Sequence, residues 1–325
     1  MFTAFTGASG VTIVALGALL VPALNKAGYK EQFNLGLVTT SGSLGLLFAP
    51  SLPLILYGVI AQQMALDTPV SIDDLFLAGL LPGLLMLVAL SLYSAWQGRH
   101  IKKEAEPFDS AEAWAAIKNG AWEIPLPFVV LGGIYGGFFA VSEAAAITAL
   151  YVLIVTVVIR REISFSNLPG VMRDSMKLVG AILLILGVSL ASTNYMIDAG
   201  VPETIFGYIQ AHVSDGFTFL LLLTVFLLIL GMMLDIFSAI VIMIPIILPI
   251  AVQYGIHPIH LGILFLANMQ LGYFTPPVGM NLFIASFRFN KPVMTLYRAT
   301  LPFFFILLAT VIIITYVPWL SMVLL

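Results

Sequence analysis

The sequence predicts an all-α polytopic membrane protein, and three observations carry the prediction. The chain has 325 residues, of which 61% are hydrophobic and only 9% charged. An ordinary soluble domain carries about 25% charged residues. The apolar residues fall in runs of roughly the 17–25 residues that a bilayer requires. Two of these runs are broken by glycine and proline: SGSLGLLFAPSLP at 41–53 and NMQLGYFTPPVGM at 268–280.

The two breaks superimpose at an offset of 227. Leu44-Gly45 then meets Leu271-Gly272, Pro50 meets Pro277, Pro22 meets Pro249 and Gly28 meets Gly255. Downstream, after a contraction of seven residues, Leu81-Pro82 meets Leu301-Pro302. The chain therefore reads as two copies of one unit. Proline lacks an N–H and clashes with the preceding turn, so neither break is continuous helix. Unwound backbone in hydrocarbon is tolerated only where protein buries it or where it lines a polar cavity. Broken helices at matching places in two repeats point to a transporter's binding site. Their freed carbonyls can hold a cation. The half-helices that restart at Ser51-Leu52 and at Val278-Gly279 can face an anion.

Taken in order, residues 11–25 form an apolar helix ending at Lys26 and Gly28, and 33–62 form the first broken helix. Residues 75–97 make the next span, and 98–124 are the most charged part. Within that part DSAEAWAAIK, Asp109 to Lys118, reads as an interfacial helix anchored by Trp114. A short glycine-rich crossing at 125–139 is followed by a return at 144–159, closed by Arg160-Arg161. Residues 164–177 read as a surface turn and short helix, 178–197 as a further crossing and 202–213 as a second interfacial helix. Two apolar helices, 217–234 and 236–253, meet at Asp235 as a re-entrant hairpin. The second broken helix is 259–287 and the last span 299–320. Three segments follow: 1–97 as the first repeat, 98–214 as connecting arm and spans, and 215–325 as the second repeat.

Charge sets the sidedness. With the hairpin tip near Asp235, all 13 Lys and Arg fall on one side. Asp67, Asp73, Asp74, Glu143, Asp198, Glu203 and Asp215 fall on the other. The basic side is then the cytoplasm and the C-terminus periplasmic. The net charge of −3 argues against a nucleic-acid partner. The chain has no cysteine, so the redox compartment is not readable from it. Its opening, MFTAFTGASG, lacks the basic region of a cleavable leader. Five crossings separate the copies, an odd number, so the second is inverted relative to the first. By that symmetry an incoming helix is expected before Gly7, which implies a longer N-terminal part.

FTGASG, ALGALLVPALNKAGY, SGSLGLLFAPSLPLILYG, LGMMLDIFSAI and LGYFTPPVGMNLF, in that order, resemble the large membrane subunit of tripartite ATP-independent periplasmic (TRAP) transporters, a DctM-like permease. The resemblance covers essentially the whole chain. It implies an elevator-type ion-transporter fold in the bacterial inner membrane and sodium-driven uptake of a small organic acid anion. It also implies two partners, a small membrane subunit and a periplasmic substrate-binding protein. Family members commonly carry two prolines at the first break. Here Ala49 precedes Pro50, which makes that break less rigid.

Carried onto matching positions, one sodium site falls between the first tip (Ser9, Gly10) and the first break (Ser41, Ser43, Gly45, Ser51). The other falls between the second tip (Asp235, Ser238) and the second break (Asn268, Gly272, Thr275, Gly279). Ser51, Thr275 and Asn281 are the substrate-site candidates. Each has an alternative: a Ser or Thr can bond back to its own helix, and the glycines can serve close packing. Asp235 can cap helix 236–253, but an acid inside an apolar run is expensive and points to function. Glu143 suits a helix start. His257 and His260 lie where the second broken helix begins, without a pattern for metal binding. No arginine falls within a span, so a carboxylate must rely on helix starts, hydroxyls and amides, or on an edge residue such as Arg288. Neither an organic cofactor nor catalysis is expected, since no Ser/His pair and no second acid accompany Asp235. A one-component sodium/anion symporter and a channel-like structural subunit are the competing readings.

Overall fold

The computed structural model describes residues 3, 9–64, 68–99, 101, 110–136, 138, 140–213 and 215–325. Gly7, expected at the first tip, lies outside these residues. So do the charge assignments at Asp67, Lys102 and Lys103 and the Asp109 start of the interfacial helix. The regular structure of the described residues is helical, with no strand among them, and seven helical stretches are long and apolar enough to cross a membrane. The chain divides into two compact units, one of Met1–Lys103 with Ser192–Leu325 and one of Glu104–Ala191.

The larger unit holds both repeats. The first comprises α1 (Ser9–Lys26), α2 (Glu31–Ser41), a 3-10 turn (Leu44–Leu47), α3 (Leu52–Gln63) and α4 (Ile72–Gly98). Ser71 caps α4 by accepting from the N–H groups of Asp73 and Asp74, whose charges favour that helix start. The smaller unit holds α5 (Ser110–Asn119), α6 (Pro125–Tyr135), α7 (Val141–Leu153, continued by a π turn, Ile154–Ile159) and most of α8 (Leu168–Asp198). α5 buries none of its residues, and Trp114 is exposed. Glu143 accepts from the Ala140 N–H at the start of α7, the place its charge suggested. α8 corrects the expectation at 164–197. The turn is present at 165–167, but the short helix and the separate crossing expected after it are one continuous helix, Leu168–Asp198. Arg173 and Lys177 are good helix formers despite their polarity, as is the apolar Met176, and Lys177 pairs with Asp174 one turn away at 2.9 Å.

The larger unit continues with α9 (Val201–Gln210), α10 (Gly216–Met233), α11 (Ile236–Gln253), α12 (Pro258–Gly272), α13 (Met280–Phe289), α14 (Val293–Tyr316) and α15 (Trp319–Met322). Asp215 caps α10; the Thr218 N–H and hydroxyl that it accepts hold its carboxyl below the ordinary range. His257 caps α12, and Pro258 supplies its first residue.

The repeat read from glycine and proline reappears in the helix bounds. Adding 227 to Ser9–Lys26 gives 236–253, the bounds of α11. The same shift takes Leu52, where α3 restarts, to Gly279, the residue before α13. Gly28 and Gly255 both hold positive φ, +87° and +76°, where their helices turn back. Both breaks contain a cis peptide, at Ala49–Pro50 and Pro276–Pro277.

The repeats are interlocked. α2 packs on α14 of the other copy, and α12 packs on α4. α3 lies on α11, and α13 lies on α1. Each pairing is thus made twice with the roles exchanged, the signature of a two-fold relationship. The core centres on α12, every residue of which is buried. It carries no amphipathic pattern because protein surrounds it on all sides. Close approach is achieved where side chains vanish: a Cβ on Gly272 would stand 2.5 Å from the backbone of Gly231 in α10.

Candidate cation and substrate site

Asp235 stands in the two-residue link between α10 and α11. One carboxylate oxygen accepts from the N–H groups of Phe237 and Ser238, both at 3.0 Å. The other accepts from the Ser238 hydroxyl at 2.5 Å. The acid is therefore a cap in fact. It also lines a cavity of about 530 Å³ with Ser9, Gly10, Ile236, Tyr273 and Met280 among its walls. Cap and ligand are compatible, because a carboxylate has room for several partners. The cavity joins the two repeats: Ser9 and Ile236, at its two sides, occupy the same place in the two copies.

The second break is held onto the end of α10 by backbone. Gly279 has φ +51°, and its N–H donates to the Met232 carbonyl at 3.0 Å. A Cβ at Gly279 would meet the Thr275 carbonyl at 2.7 Å, so only glycine fits this turn. The Thr275 hydroxyl bonds back to the Leu271 carbonyl at 2.6 Å. Asn268 donates to the Leu264 carbonyl at 2.8 Å, and its side-chain oxygen, fully buried, has no partner. A buried acceptor left unsatisfied costs about 1–3 kcal/mol, so this oxygen is suited to a cation or water.

At the first break the Ser51 hydroxyl donates to the Leu46 carbonyl and closes the turn. Ser43 donates to the Thr40 carbonyl at 3.2 Å. Ser41 and Gly45 line a separate cleft of about 470 Å³, together with Thr12, Ser91 and Ser94. The sequence reading grouped Ser9 and Gly10 with Ser41 and Gly45. The two pairs line different cavities, although the Ser9 carbonyl lies 3.2 Å from where a Cβ on Gly42 would stand. The Ser9 hydroxyl instead crosses to the other repeat and donates to Asn281 Oδ1 at 2.7 Å.

Three participants went unread in the sequence. The Tyr273 hydroxyl accepts from the Ile236 N–H beside Asp235. Thr39 offers its carbonyl to the Asn281 amide at 3.4 Å. Gln270 is buried with both ends of its side-chain amide unpartnered. A signal for two of them existed: Tyr273 and Gln270 sit inside the break motif itself. The remaining candidates are structural in these contacts. His260 lies between Ser321 Oγ at 2.7 Å and the Thr315 carbonyl. Arg288 donates to the Val14 carbonyl at 3.2 Å and ties α13 to α1.

The cavity thus offers a carboxylate, with two helices, α11 and α13, beginning beside it; the unpaired amide oxygen of Asn268 lies further along the second broken helix and does not line it. These are hard-oxygen donors for a small cation and positive helix ends for an anion. The family model for the tripartite ATP-independent periplasmic transporter, DctM component, matches residues 1–320. The chain belongs to this family. The C4-dicarboxylate TRAP transporter large permease protein DctM of Pseudomonas aeruginosa is 35% identical over 325 residues, covering all of this chain and 74% of that protein. Its namesake from Rhodobacter capsulatus is 32% identical, over all of this chain and 76% of the relative. An isethionate TRAP transporter permease protein DctMQ from Oleidesulfovibrio alaskensis is 35% identical over 99% of this chain, which spans 50% of that protein's length. The chain is accordingly an integral membrane protein of a transport family and not an enzyme.

Proposed function

We propose that this chain is the part of a sodium-coupled secondary transporter that handles ion and substrate, importing a small organic acid anion across the inner membrane. The anion is handed over by a periplasmic binding protein, and a small membrane subunit completes the assembly. The single observation that carries the reading is the cavity between Ser9 and Ile236 with Asp235 on its wall. In this reading a sodium ion sits by Asp235, near the second break with Asn268, Thr275 and the backbone at Gly272 and Gly279. A second lies at the first break, where the carbonyl of Ser9, next to Gly10, approaches Gly42 in the Ser41–Ser51 turn. The bound cations neutralise Asp235, and the anion then meets the starts of α11 and α13 rather than a bare carboxylate. Movement of the interlocked unit as one body is the elevator step, with the Lys and Arg loops cytoplasmic. The names of the relatives, C4-dicarboxylate and isethionate transporters, support an acidic substrate class.

The test is uptake into proteoliposomes that contain this chain with its partner subunit, energised by an inward sodium gradient. The expected result is accumulation that requires both sodium and the added binding protein. Uptake that needs no binding protein would favour a one-component symporter. Substrate equilibration indifferent to sodium would favour the channel-like reading and sink this one.

A further inference from the structure

The amide of Asn281 is fully buried at the start of α13 and engaged at both ends. Its oxygen accepts from Ser9 Oγ at 2.7 Å, and its nitrogen donates to the Thr39 carbonyl at 3.4 Å. Its own backbone N–H donates to the Tyr273 carbonyl at 2.9 Å. The Tyr273 hydroxyl in turn accepts from Ile236, the residue after Asp235. Hydrogen bonds therefore run from the first tip, through the second break, to the second tip, with a branch to the first break. We propose that Asn281 is a positioning residue that couples the two repeats, so that occupancy at one tip is felt at the other.

Two further observations favour coupling over direct substrate contact. The cavity is lined by the neighbours Met280 and Ile284, while the Asn281 amide points into bonds with α1 and α2. The equivalent position in the first repeat is Leu54, just as fully buried. The half-helix therefore packs without an amide in one copy, and an amide is costly to bury unless its bonds are made. What the amide adds is the join between copies. Such coupling is reciprocal between sites. The inference rests on the sodium-coupled reading for its first test and on geometry alone for its second.

Both tests use the complete transporter with its partner subunits. The variants are Asn281→Leu, which installs the residue that the first repeat uses, and Ser9→Ala, which removes the same bond from its other end. The first readout is sodium activation of uptake at saturating substrate. Wild type should show a Hill coefficient above one. Asn281→Leu should bring it to about one and raise half-activating sodium by about fivefold or more. Ser9→Ala should act in the same direction, and the double variant should be no worse than Asn281→Leu alone. The second readout needs no sodium dependence. The chain lacks native cysteine, so Ser41→Cys reports from the cleft beside the first break, away from the cavity of Asp235. Asp235→Asn should change its rate of thiol modification by about threefold or more, and the effect should vanish in the Asn281→Leu background. If Asn281→Leu fails to reach the membrane, Ser9→Ala carries both readouts. Asp235→Asn without effect on Ser41→Cys, or an effect that survives loss of the amide, would overturn the proposal. So would a variant that raises only the substrate KM and leaves the sodium curve intact, which would make Asn281 a substrate contact. A wild type indifferent to sodium would remove the sodium-coupled reading and leave the decision here to the cysteine readout.

Discussion

Ser43 and Gln270 hold the same place in the two repeats, 227 residues apart, and they touch: the Ser43 hydroxyl, its one proton shared with the Thr40 carbonyl, reaches the Gln270 carbonyl at 3.4 Å. Equivalent residues can meet only where the relationship between the copies passes. The two breaks therefore lie together at the centre of the larger unit, beside the fully buried α12. This places unwound backbone where protein encloses it, the condition that hydrocarbon imposes.

Asp235 is both cap and cavity wall, and substitution separates the roles. Asp235→Asn keeps an acceptor for the Phe237 and Ser238 N–H groups, since Asn caps about as well as Asp. It should leave membrane abundance normal and raise the sodium requirement of uptake. Asp235→Ala should lose the cap as well, at about 1 kcal/mol, and lower abundance. Thr275→Val should raise the sodium requirement too, and Ser51→Ala should weaken the site at the first break. Unchanged sodium activation in Asp235→Asn would make the residue a cap and nothing more.

The contact of Gly272 with Gly231 is backbone against backbone and cannot be relieved by a rotamer change. Gly272→Ala should force α10 and α12 apart at a cost of roughly 1–3 kcal/mol. Gly231→Ala should be milder, because its Cβ would meet the Gly272 and Met269 backbone at 3.1 and 3.3 Å. Thermal aggregation midpoints of the purified transporter would rank them; equal midpoints would contradict the packing described.

The charge distribution predicts sidedness. Single cysteines at Lys118 and Arg161 should resist an impermeant thiol reagent added outside intact cells. Cysteines at Thr68 and Asp198 should react. The reverse pattern would invert the topology.

His257 Nδ1 accepts from the Ile259 N–H at 3.3 Å to cap α12, and burial holds its pKa below the ordinary 6.5. On acidification the unfolded chain takes up this proton before the folded one does. Stability from this site is therefore complete above the ordinary imidazole pKa and falls as pH drops below it, levelling once the folded group is also protonated. Melting midpoints should decline between about pH 7 and about pH 5. His257→Asn keeps a capping acceptor and should show a shallower decline; an identical pH profile would exclude His257 as its source.

Much of the architecture was legible because glycine and proline act locally. They mark the same breaks in both copies, and a shift of 227 carries the bounds of α1 onto those of α11. The turn at 165–167 was legible, but polarity at 168–177 suggested a helix separate from the crossing where helix propensity carries the chain straight on. The pairing of Ser9 with Asn281 lay beyond the sequence for a different reason. Aligning two copies reveals which residues are equivalent, not which ones meet across the interlock. Asn281 facing Leu54 was the visible trace: one copy departs from the other where the copies must be joined.

The interlock also bears on how the protein is made. Ribosomes add roughly 5–20 residues per second, so about thirteen to fifty seconds pass between the emergence of α2 and that of its partner α14. Through that interval the first copy stands in the bilayer with Asn34, Thr39 and Thr40, buried in the finished protein, not yet covered by the second. A nascent chain in this state can complete itself only with its own later half or with the same half of a neighbouring chain. Slow or interrupted synthesis should therefore yield exchanged dimers and substrates for membrane proteases, and two halves produced as separate polypeptides should find each other and assemble.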